Sequence, residues 1–181
     1  MDLKYGSGPA ASLYHYAHGS SVYVAYATGV TALPAYSATT LGPILYNGNT
    51  GNPPRKAVII GITVGLTTAS AAAVSVGLAG GVSVAPINTT AITLASSTNE
   101  FGKLPTMSVY GAGTVSAAPL MYWPLVNLDT AALTANSLEN MWIPLDGGIV
   151  VRQGSYIALA ASATATTSVL EFGIVWAELP T

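Results

Sequence analysis

Charge is what this chain has least of. Only 7% of its residues are Asp, Glu, Lys or Arg, where an ordinary soluble domain carries about 25%. The deficit is concentrated: none occurs from Tyr5 to Pro54, from Ala57 to Asn99, or from Leu104 to Leu128. A surface kept in water needs ionised groups for solubility, whereas a surface lying against a neighbouring copy does not. The composition therefore points to a chain whose working state is an assembly. Its cations, Lys4, Arg55, Lys56, Lys103 and Arg152, are too few and too scattered to neutralise a phosphate backbone, and the net charge is −2. Nucleic acid is not an expected partner.

Cysteine is absent altogether, which excludes a disulfide framework and a thiolate metal site. Stability has to come from packing. The start, Met1-Asp2-Leu3-Lys4-Tyr5-Gly6-Ser7-Gly8, lacks the basic-then-apolar pattern of a secretion signal, so synthesis in the cytoplasm is the expectation. The run from Ala57 to Ile87 is long and apolar enough to raise a membrane span. It is built from Val, Ile, Thr and Ser, however, and Gly61, Gly65, Gly77, Gly80 and Gly81 cut it into strand-length pieces. No membrane association is expected.

Long helices are equally hard to find, because the abundant Ala sits among Thr, Ser, Val and Gly. What the chain does have is short β-branched or aromatic runs bounded by turn residues. Strands are expected at Ser21–Ala27, Thr40–Asn47, Lys56–Leu66, Ala73–Leu78, Gly81–Pro86, Met107–Tyr110, Gly147–Arg152, Tyr156–Ala161 and Val169–Glu178. Alternation in Val22-Tyr23-Val24-Ala25-Tyr26 sends Tyr23 and Tyr26 to opposite faces. In Val58-Ile59-Ile60-Gly61-Ile62-Thr63-Val64 both faces are apolar, as in a buried central strand or one beneath a partner. Asn47 to Pro54 is a turn-rich loop, and Asp146-Gly147-Gly148 and Arg152-Gln153-Gly154-Ser155 frame a short strand. A helical turn or two is expected at Thr130–Asn140, with Leu133 and Leu138 toward the core. The sum is an all-β protein: a jelly-roll-like β-sandwich of about eight strands spanning 21–181 as one domain, preceded by a short N-terminal arm, 1–20. The arm carries Leu13-Tyr14-His15-Tyr16, large side chains suited to packing on a neighbouring subunit.

The chemistry-bearing residues do not form a constellation. His15 and His18 are the only histidines, and no acidic residue follows them before Glu100. Three apart on a strand, they point to opposite faces and do not converge on one ion. The carboxylates Asp2, Glu100, Asp129, Glu139, Asp146, Glu171 and Glu178 show no pair spaced to act on one element. Gly6-Ser7-Gly8 lacks the strand and helix of a nucleophile elbow, and Gly111-Ala112-Gly113 is followed by no Lys. No catalytic, cofactor-binding or metal-ligating residue is assigned, and no enzyme is expected. Tyr14, Tyr16, Tyr23, Tyr26 and Tyr36 with Tyr122, Trp123 and Trp142 suit core and interface packing first, and a sugar-binding groove second.

One stretch carries a resemblance. Trp142-Ile143-Pro144-Leu145-Asp146-Gly147-Gly148-Ile149-Val150-Val151-Arg152-Gln153-Gly154-Ser155-Tyr156-Ile157-Ala158-Leu159 continues through a small-residue loop to Phe172-Gly173-Ile174-Val175-Trp176-Ala177-Glu178-Leu179-Pro180. Together with Gly42-Pro43-Ile44-Leu45-Tyr46-Asn47 and Val58-Ile59-Ile60-Gly61-Ile62, this resembles bacteriophage virion proteins of the jelly-roll type. The resemblance covers about Leu41 to Thr181 and rests on generic motifs. It implies a head decoration (cement) protein, trimeric, seated on the major capsid protein of a virion and bringing no catalytic residues. The alternatives are a trimeric receptor- or glycan-binding head of a tail or fibre, and a single-jelly-roll capsid protein.

Overall fold

The structure is a computed structural model that describes residues 22–51, 53–68, 73–95, 105–128 and 138–180. The expected arm, both histidines and 130–137 of the expected helical turn lie outside the described residues. Twelve strands are present: β1 (Val22–Leu33), β2 (Thr40–Leu41), β3 (Ile44–Tyr46), β4 (Arg55–Thr68), β5 (Val74–Val82), β6 (Ile87–Ala91), β7 (Thr93–Ala95), β8 (Ser108–Thr114), β9 (Met121–Leu128), β10 (Leu138–Val151), β11 (Ser155–Ala161) and β12 (Ala165–Pro180). No helix occurs among the described residues, so none there can cross a membrane as a helix. Leu138, expected on a helical turn, opens β10 instead.

All pairings between strands are antiparallel. They build two sheets, which we call A (β10–β4–β12–β1–β7) and B (β6–β8–β2/β3–β11–β5–β9). β2 and β3 meet β8 in one unbroken register, Thr40 opposite Thr114 and Tyr46 opposite Ser108, so they are one strand interrupted at Gly42-Pro43. Pro43 has no N–H to give the ladder. Setting β6, β7 and β8 aside leaves eight strands, paired β1–β12–β4–β10 in one sheet and β3–β11–β5–β9 in the other. That is the strand order of a jelly roll.

The remaining strands come from the segment between β5 and β9. β6 extends sheet B through β8, and two residues later β7 extends sheet A through β1. The chain thus changes sheets at Ile92 and closes one side of the sandwich. Sequence reasoning missed β6, β7 and β9, split β5 at Ala79-Gly80, and carried its second half on to Pro86 where the strand ends at Val82. β6 and β7 are short and rich in Thr. β9 contains Pro124, which argues against a strand except at an edge or a bulge. It is at both: β9 is outermost, and its register on β5 shifts between Val76 and Gly77. A Cβ on Gly77 would collide with the Trp123 carbonyl, so this close approach needs glycine.

Period-two alternation explains the core. Across sheet A, the rows Ile149–Ile59–Trp176–Tyr23 and Ile143–Ile62–Ile174–Ala25 face inward. They meet Leu45, Val76, Leu78, Val109, Ile157 and Leu159 of sheet B. Trp176 is fully buried, with its ring 5.8 Å from that of Tyr23. Tyr26 faces outward, as the alternation predicts. Ile60 does not join this core. The β4–β12 register shifts around it, and the extra residue turns it to the outer face of sheet A.

Two outcomes are expected. Trp176→Ala should lower unfolding free energy by about 3–5 kcal/mol in a denaturant titration, the range for emptying a large aromatic site. Burial pushes the Tyr156 phenol up to about 12. The native state then holds that proton where an unfolded chain, near 10, has lost it. The associated stability is intact below pH 10 and is lost as pH rises toward 12, and Tyr156→Phe should flatten that part of the alkaline unfolding curve.

Candidate interaction surface

The acids of the described residues are placed apart. Glu171 and Glu178 share β12 but differ in parity, so they project from opposite faces of sheet A, roughly 23 Å apart along the strand. Asp146 is exposed in an irregular stretch of β10, where it and Gly147 have φ of +45° and +78° and the register on β4 shifts between Pro144 and Ile149. Among the described residues no three of His, Cys, Asp or Glu gather to hold a metal ion.

Glu178 is fully buried. Its carboxylate accepts from the backbone N–H groups of Thr106 (2.9 Å) and Met107 (3.0 Å), from the Thr106 hydroxyl, and from the Trp176 indole (3.3 Å). These donors compensate its desolvation and tie the 105–107 turn to β12. The Trp-x-Glu ending is thus a structural clamp. Asn47, also fully buried, does similar work at the same end of the sandwich. Its Nδ2 donates to the carbonyls of Arg55 (2.8 Å) and Val151 (3.0 Å), while its Oδ1 accepts from the Asn49 N–H.

The outer faces of the two sheets differ. On sheet B, outward residues of β3, β5 and β11 (Ile44, Tyr46, Ala79, Tyr156, Ala158 and Ala160) are buried with Val115 against the protein's own loops. Val115 N–H donates to Thr39 O at 2.9 Å, the Tyr156 hydroxyl reaches Ala117 O at 3.2 Å, and Tyr36 stacks on Tyr122 with rings 4.7 Å apart.

On sheet A the outward rows are Val150–Val58–Ala177–Val22, Pro144–Gly61–Val175–Val24 and Trp142–Thr63–Gly173–Tyr26. Val22, Ile60 and Ala177 form a buried cluster there, while Val150, Trp142 and Tyr26 are 46%, 45% and 38% exposed. The Trp142 indole lies over Gly61, where a Cβ would strike it. On β1, β4 and β12, charge reaches this face among the described residues at its ends, at Lys56 in the Leu179 row and Glu171 in the Gly65 row, and Asp146 stands on the β10 edge. Eight residues of β12 separate those rows, roughly 26 Å. Tyr26 donates to Glu171 at 2.8 Å, and that bond, more than burial, raises the phenol pKa.

No protein-family model, curated protein or solved structure matches the chain. The surface therefore has to be read from its own chemistry.

Apolar side chains also mark the opposite edge of sheet B, where Leu120, Met121 and Trp123 are 82%, 45% and 44% exposed. β9 carries no charge. Its unpaired edge is blunted by Pro124 and a bulge in place of the usual lysines. Sequence reasoning singled out Trp123, Trp142 and Tyr26 as aromatics without being able to say which face held each.

Glu178→Gln should cost about 1–3 kcal/mol, because the new amide turns a donor toward groups that are themselves donors. Denaturant midpoints of the two proteins test this, and an unchanged midpoint would remove the clamp.

Proposed function

We propose that this is a structural virion protein, a trimeric capsid decoration (cement) protein that binds the major capsid protein and stabilises the head shell. The observation that supports it best is the outer face of sheet A. An antiparallel sandwich sheet commonly leaves one face to water, and here three successive outward rows hold no charged side chain. A face of this kind is suited to lie against protein, and a stable contact needs about 800 Å² from each partner. Closed symmetry lets every copy cover the same surface. The trimeric state and the shell as partner come from the resemblance to jelly-roll virion proteins, and the virion is the proposed location.

The buried polar clamps at Glu178 and Asn47 suit a part that must endure. Separation of Glu171, Glu178 and Asp146 argues against paired-carboxylate catalysis. The working reading is therefore assembly, with no enzymatic role.

Light scattering at micromolar concentration tests it. Three copies of the 18.3 kDa chain, about 55 kDa, are expected. Val24→Lys combined with Val150→Lys should return the mass to that of one chain while leaving the unfolding temperature within a few degrees. A monomeric parent protein, or a double variant that remains trimeric, would contradict the assignment of this face.

A further inference from the structure

A groove of about 690 Å³ opens where β1 of sheet A passes β2, β6 and β8 of sheet B. Its volume falls in the range of small-molecule sites. Among its described lining residues there is no Asp, Glu, Lys, Arg or His. Thr28, Thr40 and Thr90, all exposed, supply hydroxyls beside the phenol of Tyr26, while Val30, Leu41 and Ile92 supply apolar walls.

The backbone is shaped for close approach at the same place. Thr28 and Gly29 together oppose Glu171 alone in the β1–β12 ladder, and Gly29 has φ of +66°. This is a bulge, a device that bends a strand and re-aims its side chains. The space in front of Gly29 is open, with no atom within 4 Å of where a Cβ would stand. Tyr26, one of the lining residues, donates its hydroxyl to Glu171 at 2.8 Å, which orients the ring.

Hydroxyls on apolar walls with one oriented aromatic ring match a ligand that is itself an uncharged ring with C–H faces and a rim of hydroxyls. An anionic ligand would find no cation among the described lining residues, and the Glu171 carboxylate bonded to Tyr26 disfavours it further. We propose that this groove binds a short neutral oligosaccharide. The inference does not rest on the virion reading: of the groove's described residues only Tyr26 belongs to the three outward rows of sheet A, and at Tyr26 alone the two surfaces meet.

Saturation-transfer NMR on the full chain tests it, with cellobiose, lactose, maltotriose and chitotriose as probes and sialyllactose as the charged comparison. Transfer to at least one neutral sugar is expected, with affinity falling more than tenfold in Thr90→Arg and in Thr40→Arg. Both positions are exposed, so unfolding temperatures should not move. Absence of transfer to every neutral probe, stronger transfer to sialyllactose than to lactose, or undiminished binding in both variants would overturn the proposal. Light scattering on the same samples reads the assembly separately.

Discussion

An antiparallel sheet in water can leave one face solvated, but a sheet with apolar side chains on both faces must be covered twice. Both sheets of this sandwich meet that condition. Their inner faces cover each other through one shared core. Sheet B covers its outer face with the chain's own loops, through Val115, Tyr36 and Tyr122. Sheet A gathers only Val22, Ile60, Ala177 and Val175 into a small cluster and leaves Val150, Trp142 and Tyr26 to the outside. The rarity of charge in the sequence and the asymmetry of the two faces fit the proposed assembly, in which the outer face of sheet A lies against protein.

Ionised groups are correspondingly few, and the buried polar side chains are confined to a few positions. Glu178 and Asn47 are spent inside the structure, each with its hydrogen-bonding atoms satisfied, and together they join loop, turn and strand ends that packing alone would leave loose. Glycine acts where backbones or rings come close, under the Trp142 indole at Gly61 and beside the Trp123 carbonyl at Gly77. The same economy appears at the sheet edges, where proline and bulges limit further pairing without lysine.

Much of the fold was legible in the sequence. The all-β class followed from turn spacing and from β-branched runs, and the alternation around Tyr23 and Tyr26 put them on opposite faces, as the structure has them. The two-faced apolar run Val58 to Val64 anticipated a strand central to its sheet, and β4 lies between β10 and β12. Three features were not legible. The register shift that turns Ile60 outward depends on pairing with β12, a neighbour more than a hundred residues away. Pro124 hid β9, since proline is tolerated there only because the strand proves to be outermost. The groove combines β1, β2, β6 and β8, whose residues are ordinary threonines and glycines until the topology gathers them.

The central claim is that the outer face of sheet A is covered by protein in the working state. Hydroxyl-radical footprinting of the native chain at micromolar concentration tests it directly, because Trp142 and Leu120 are both exposed in the single subunit, at 45% and 82%. The account expects Trp142 and Val150 to be strongly protected at that concentration and to become reactive on dilution. Labelling of Trp142 and Val150 that stays at the level of a freely exposed residue, whatever the concentration, would contradict it.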